Sequence, residues 1–365
     1  MSQLNVDAIR SANGTGDAIS LTAADKTCTA NITNNLSNRN LIINGDMNIW
    51  QRGDGPHTIA YSYSADRWER NFTLNGTDYF HIEKKTESPP GFSSSLEVSF
   101  GTAQASVTGG HYALIRQKIE AQNLQHLAYG TSSAKKMTLS FWVRSNKTGT
   151  YAVHLQQGDN SNKQVSFNYS ISSGDTWEKK TISIPADTSG VINNDNGEGL
   201  SVTWWLAAGT NMTSGTLRNT AWTTYAAADQ AVGHNVNLAD STSNTWYITG
   251  VQLEVGDYAT DFEHRKYQDE LRACQRYCCV ITAAYYGNGW NAFLSWCDQG
   301  YPGGDMRNTP TTTKLSGGDF STRYPEANYN VSTFTNNQSI FVFNTATSDG
   351  GNDGFKVQVL CEAEL

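Results

Sequence analysis

Few residues of this chain carry charge: Asp, Glu, Lys and Arg together make up 16% of its 365 residues. Its polarity comes from Asn, Thr, Ser and Gly, which suit strand faces, turns and loops better than long exposed helices. Basic charge is scarcer still. The formal net charge is −8, the sequence pI is about 5.4, and no run of Lys and Arg occurs. A nucleic-acid partner, which calls for a basic face, is not expected. Long hydrophobic runs are missing as well. The longest, Tyr277 to Tyr286, falls short of the about 20 residues that span a bilayer, so no membrane insertion is expected. The opening Met1-Ser2-Gln3-Leu4-Asn5-Val6-Asp7 has neither a basic n-region nor an apolar core, and no signal peptide is expected from it.

Cysteine is sparse and irregular. Cys28, Cys274, Cys278, Cys279, Cys297 and Cys361 do not follow the spacing of a small disulfide scaffold. Free buried thiols, made and assembled in a reducing cytoplasm, are the expectation. The motifs of common catalysts are missing too: no Gly-x-Ser-x-Gly elbow, no His-Glu-x-x-His and no Walker loop. No short repeat of the parallel β-helix kind occurs.

What the chain does have is aromatic side chains, 11% of residues with ten Trp, too many for a disordered polymer. It also has period-2 alternation. Met137, Leu139, Phe141 and Val143 alternate with Thr138, Ser140, Trp142 and Arg144; Tyr151, Val153 and Leu155 with His154 and Gln156. Val165, Phe167 and Tyr169 alternate with Ser166, Asn168 and Ser170; Leu200, Val202, Trp204 and Leu206 with Ser201, Thr203 and Trp205. Tyr247, Thr249, Val251, Leu253 and Val255 would share one face of a further strand. Such strands predict antiparallel sheets with one buried face, in a single sandwich or jelly roll. Leu41-Ile42-Ile43 reads as a short strand stopping at the turn pair Asn44-Gly45.

One helix stands out. Thr260-Asp261-Phe262-Glu263 matches a capping box, and Tyr267, Leu271, Cys274 and Cys278 follow at helical spacing. This predicts a helix from Asp261 to Cys278, whose stripe must pack on a sheet or on its own copies because so short a helix is not stable alone. The fold class expected is all-β: an extended N-terminal arm over 1–38, a jelly-roll β-sandwich over 39–260, a linking helix over 261–279 and a smaller C-terminal β-domain over 280–365. The arm, with short apolar marks at Ile19, Leu21 and Ile32, is read as a segment that orders against a partner.

Several strings add up to a resemblance. Residues 40–53, Asn-Leu-Ile-Ile-Asn-Gly-Asp-Met-Asn-Ile-Trp-Gln-Arg-Gly, resemble the opening of the β-domain in tail-fibre-type proteins of marine and environmental bacteriophages. Ala65-Asp66-Arg67-Trp68, Ser140-Phe141-Trp142-Val143-Arg144 and Gly250-Val251-Gln252-Leu253-Glu254-Val255-Gly256 are similar to its later blocks. So are Ala259 to Arg265, Cys274-Gln275-Arg276-Tyr277, Met306 to Thr311 and the closing Glu362-Ala363-Glu364-Leu365. The blocks occur in the family's order, from about Asn40 to the end. The resemblance implies a jelly roll like those of carbohydrate-binding modules, on a virion structural protein. Together with the helix stripe it suggests a homotrimer, with Tyr267, Leu271, Cys274 and Cys278 as oligomerisation residues.

Candidate sites follow from chemistry. Sugars stack on exposed aromatic faces. Alternation turns Trp205 away from Trp204, and Trp222 lies in a loop-like stretch; Trp290, Trp296 and Tyr301 fall among Gly and Asn near the C-terminus. These five are the glycan-binding candidates, set against the alternative that they fill a core. Asn44, Asp46 and Glu254 could offer oxygens to calcium, yet Asn44-Gly45 is also a plain turn signal and Glu254 could pair with Arg52; no metal or other cofactor is expected. Asp66, Glu69, Glu254 and Glu263 are carboxylates that a glycosidase could pair, but no catalytic residues are assigned and no enzyme is expected. The function expected is a tail-fibre or receptor-binding protein, exposed on the particle, joined to other virion proteins by residues 1–38 and contacting host-surface glycans. The rivals are a purely structural capsid or neck decoration, a capsule depolymerase and a secreted sugar-binding module.

Overall fold

Where apolar and polar residues alternate the chain runs extended, because in a strand every second side chain faces one way. The computed structural model describes residues 8–10, 17–22, 27–30, 38–57, 63–74, 80–159, 162–288, 297–300, 304–319, 332–335, 339–343 and 352–365, with backbone alone over 8–30, 283–300, 314–343 and 352–357. First come β1 (Ala8–Arg10), β2 (Asp17–Thr22) and β3 (Thr27–Ala30). Then follow β4 (Glu69–Phe72), β5 (His81–Lys85), β6 (Ser95–Ser99), β7 (Tyr112–Glu120), β8 (Met137–Ser145), β9 (Gly149–Gln157) and β10 (Lys163–Ile171). Next are β11 (Glu178–Ile184), β12 (Glu198–Ala208), the one-turn helix α1 (Thr210–Thr213), β13 (Thr223–Thr224) and β14 (Thr245–Val255). Helix α2 (Tyr267–Gln275) precedes β15 (Cys278–Asn288), β16 (Cys297–Gly300), β17 (Thr311–Asp319), β18 (Ser332–Thr335), β19 (Ser339–Phe343) and β20 (Asn352–Glu362).

The fold is an all-β sandwich of the jelly-roll type. One sheet runs β13-β10-β9-β12-β7-β4 and the other β11-β8-β14-β6-β5, all antiparallel. In β8, β9, β10 and β12 the inward residues are those the alternation assigns. Met137, Leu139, Phe141 and Val143 of β8 are fully buried, as are Leu200, Val202, Trp204 and Leu206 of β12. Trp204 lies 5.5 Å from Trp68 and 5.7 Å from Phe141, ring centre to ring centre. Each such side chain contributes about 1.5–3 kcal/mol by leaving water.

Beyond α2, β15-β20-β17 and β16-β19-β18 make two further three-stranded sheets. The end of β20 is tied to the sandwich by charge. Arg52 Nε lies 2.7 Å from Glu362 Oε1 and its Nη2 3.0 Å from Glu364 Oε1. The buried Arg67 also pairs with Glu364, and its guanidinium sits 3.5 Å over the Tyr277 ring. Removing one partner of a buried pair strands the other charge at a cost of about 3–5 kcal/mol.

Three expectations change. The described parts of residues 1–38 include regular structure: β1, β2 and β3 pair as an antiparallel meander with Ile9 opposite Ile19 and Leu21 opposite Cys28. The alternation there is only six residues long in β2, too short to stand out from its surroundings. Ile32 lies outside the described residues. Leu41-Ile42-Ile43 is a turn-rich segment and not a strand; the amide of Ile43 donates to the Gln117 side chain at 2.8 Å, so the backbone is satisfied without a ladder. The helix runs only from Tyr267 to Gln275. Its supposed capping box is spent elsewhere: Thr260 donates to Glu254 at 2.8 Å, and Glu263 accepts from the Asn40 amide at 2.9 Å. Tertiary partners outbid a cap worth about 1 kcal/mol.

Candidate functional site

The two sandwich tryptophans singled out from sequence do not offer their faces. Trp205 is 3% exposed, packed with Leu114 and Ala152 beneath Met212 and Ala231. Trp222 is 7% exposed; its Nε1 donates to the Pro185 carbonyl at 2.7 Å and its ring meets Tyr129 edge-on at 5.8 Å. Both are packing residues, because the segment after β12 folds back over the sheet. Trp290, Trp296 and Tyr301 lie outside the described residues. The helical stripe also breaks up. Tyr267 is 58% exposed and Leu271 half-buried, whereas Cys274 and Cys278 are buried within the chain itself and present no seam to another copy.

The residues of the recurring strings form a structural junction. Asn44 holds the chain in a left-handed turn at φ 57°; its Nδ2 donates to the carbonyls of Ile49 at 2.9 Å and Asp66 at 3.0 Å, while its Oδ1 accepts from the Ile49 amide at 2.9 Å. Gly45 is forced by space, since a Cβ there would sit 2.1 Å from the Val251 carbonyl oxygen. Glu254 accepts from the amide and hydroxyl of Thr260, both at 2.8 Å, and its arginine neighbour is Arg39 at 3.8 Å, not Arg52. Protein donors thus occupy the oxygens of Asn44 and Glu254 that calcium would need. Among the described residues no group of three or more His, Cys, Asp or Glu is placed to hold a metal ion. The carboxylates weighed for glycosidase chemistry are engaged in the same way. Arg116 grips Glu69 with two bonds of 2.8 Å. Gln51 donates its amide to Asp66 at 3.0 Å, and burial pushes the Asp66 carboxyl up to about 6.

A different surface gathers the aromatic side chains. Phe141 and Val143 point into the core, so Trp142 and Arg144 point out of the five-stranded sheet. The register of β8, β14, β6 and β5 sets Arg144 opposite Tyr247, Tyr247 opposite Glu97 and Glu97 opposite Glu83. Trp177 leads into β11 on the same side and meets the Tyr247 ring edge-on at 6.2 Å. Arg144 lies 5.1 Å over the Tyr247 ring and is steered by Asp175, whose carbonyl accepts from Nε at 3.1 Å. Burial, then the hydrogen bond to Glu97 and its charge, push the Tyr247 phenol up to about 12. Lys85 balances the carboxylates, 2.9 Å from Glu83 and 3.7 Å from Glu97.

A bulge carries the aromatic band onward. The register slips between Thr249 and Gln252, so Trp246 and Ile248 join Val251 and Leu253 in the core. Tyr247 and Thr249 therefore do not share a face with Val251 and Leu253, as uninterrupted alternation predicts. Gly250, at φ +62°, sits at the slip; a Cβ there would lie 2.6 Å from Phe92 Cζ and 3.0 Å from Trp142 Cδ1. Its missing side chain lets both rings lie against the sheet. Phe92 in turn packs with Phe262 at 5.1 Å and His264 at 5.4 Å. Trp142, Trp177, Phe92 and Phe262 are half-buried and His264 is exposed. The band ends at a small hollow lined by Asn40, Gly45, Asp46, Phe262, Glu263, Arg265 and Glu270. There Asp46 Oδ1 is buried without a hydrogen-bond partner, and burial raises its carboxyl. The sequence signal for this surface was present in the Phe141-Trp142-Val143-Arg144 alternation, which already turned Trp142 outward.

No protein-family model matches the sequence, and no curated protein matches it. Solved structures resemble it at low identity. The enzymatically active domain of tailspike protein 4 of bacteriophage CBA120 is 16% identical with a TM-score of 0.32, over 60% of this chain and only 21% of that one. A candidate sugar binding protein from Bacteroides thetaiotaomicron VPI-5482 is 15% identical with a TM-score of 0.33, over 60% of this chain and 100% of that one. The family 11 carbohydrate-binding module of a cellulosomal cellulase of Clostridium thermocellum is 11% identical with a TM-score of 0.28, over 59% and 99%.

Proposed function

We propose that this chain is a glycan-binding virion protein of the tail-fibre or receptor-binding type, joined to the particle through residues 1–38 and contacting host-surface sugars without cleaving them. The observation that carries the binding part is the band formed by Trp177, Trp142, Phe92 and Phe262 around the buried Tyr247 on the outer face of the five-stranded sheet. Half-buried rings are held rigidly and keep one face or edge for solvent, which suits the apolar C–H surface of a pyranose. Arg144, Lys85 and Glu83 beside them are partly exposed and supply donors and acceptors for sugar hydroxyls. The virion placement is supported by the ordered strings from Asn40 to Leu365, and the homotrimer by the same resemblance.

Adsorption competition tests the reading. Purified chain should bind host-surface polysaccharide and block infection by particles that carry it. Replacing Trp142 or Trp177 by Ala should weaken binding about tenfold for the loss of roughly 1.4 kcal/mol of stacking, with the melting temperature little changed. Undiminished binding by a folded double variant would remove this face from the recognition surface.

A further inference from the structure

The register of β15 against β20 sets Cys279 directly opposite Cys361. Both side chains are fully buried free thiols, and they hydrogen-bond to each other. Directly opposed residues of an antiparallel pair have Cα atoms about 4.5–5.5 Å apart with side chains on one face. That separation lies within the roughly 4.4–6.8 Å that a disulfide bridges. The neighbouring thiols lack this arrangement: Cys278 stands opposite Glu362 on the other face of the strand, and Cys274 lies in α2.

We propose that Cys279 and Cys361 form a modification site whose co-reactant is a low-molecular-weight disulfide of the oxidised-glutathione class and whose product is a cross-strand disulfide. One protein thiolate attacks the small disulfide, forming a mixed disulfide and releasing one small thiolate. The second protein thiolate then attacks the protein sulfur of that mixed disulfide, forming the Cys279–Cys361 bond and releasing the other small thiolate. The two protons of the protein thiols end on the two small thiols, so the protein loses two electrons and the small disulfide gains them. The hydrogen bond with Cys361 and burial both push the Cys279 thiol up, so little thiolate forms at neutral pH and the exchange is slow. The cross-link falls where it matters for the C-terminal sheet. β20 is the middle strand between β15 and β17, and Glu362 and Glu364, which hold Arg52 and Arg67, follow Cys361 directly.

The test uses the full chain purified under reducing conditions and then incubated with excess oxidised glutathione. Free thiols are alkylated after unfolding, and tryptic peptides are read by mass spectrometry without reduction. The expected product links the peptide spanning residues 277–307 to that spanning 357–365, with fragmentation between Cys278 and Cys279 assigning the bond to Cys279. The oxidised protein should melt several degrees higher, and a dithiol reductant should restore the original value. The bond should persist in C278A and vanish in C361A. Linkage through Cys278 or Cys297, glutathione mixed disulfides without a cross-link, or complete alkylation of Cys279 and Cys361 would each overturn the proposal; mapping on the unsubstituted chain decides even if a variant does not fold.

Discussion

The two outer faces of the sandwich each carry a tryptophan that alternates with core residues, Trp205 on β12 and Trp142 on β8, yet only Trp142 is partly exposed. On the six-stranded side, Met212 and Ala231 roof Trp205, and the middle of the face is closed by the Glu69–Arg116 pair and by His154 bonded to Gln164. On the five-stranded side no such roof lies over Trp142 among the described residues, and Gly250 lets its ring settle against the sheet beside Phe92. Alternation therefore fixes which way a side chain points but not what covers it. Whether an outward aromatic becomes platform or second core depends on an insertion contributed from elsewhere in the chain.

The contrast can be broken deliberately. The largest effect should come from Trp205→Ala, which opens a cavity beneath the roof and should cost about 3–5 kcal/mol in chemical unfolding, whereas Trp142→Ala should cost less than about 1.5 kcal/mol. Equal losses would mean that the two faces are covered alike. His154 gives the next effect. It is 2% exposed, and burial holds its imidazole down at about 4, against 6.5 for the free side chain, with the Gln164 hydrogen bond acting the other way. The unfolded chain takes up this proton as pH falls below 6.5, while the folded chain does so only near 4. The stability from neutral His154 is thus complete above 6.5 and lost as pH falls towards 4. His154→Gln should flatten that limb by on the order of 2–3 kcal/mol, read as the difference between the two proteins' unfolding free energies from pH 7 to 4. Parallel curves would show that water reaches His154. The smallest effect should come from Gly250→Ala. A Cβ in the left-handed region costs about 1–2 kcal/mol, and here it also displaces Phe92 and Trp142, so glycan binding should fall further than stability alone explains. Binding unchanged at equal folded fraction would separate the bulge from the aromatic band.

Several strands were hidden from the sequence for the same reason that the roof was. β7 reads Tyr-Ala-Leu-Ile-Arg-Gln-Lys-Ile-Glu, with Leu114 beside Ile115. Leu114 faces the roofed side and Ile115 the core, so burial on both faces erases the alternation. β4 carries Glu69, Arg70 and Asn71, all buried: Glu69 and Asn71 pair with Arg116 and Tyr112 of β7, and Arg70 donates to the carbonyls of His57 and Phe80. β5, β6 and β11 are short or Lys-rich, and the alternation of Leu96 and Val98 or of Ile182 and Ile184 is too brief to stand out. The bulge at Gly250 is of the same kind: a glycine in a strand is visible, but the parity change it causes is seen only against β8.

The sequence by itself determined the class of this fold, because period-2 alternation in β8, β9, β10 and β12 commits each strand to one buried face, and that commitment is local. It also determined which side chains leave the core, Trp142 and Trp205 included. Only the tertiary structure decided which outer face stays open, why the Thr260 and Glu263 carboxylate-and-hydroxyl pair ties loops instead of starting a helix, and which cysteines stand opposite one another. The tertiary contacts behind such outcomes include partners 74 and 223 positions apart in the chain, Ile43 with Gln117 and Asn40 with Glu263. A contact of that span exists only once both sheets have formed, so no window of neighbouring residues can carry its signal.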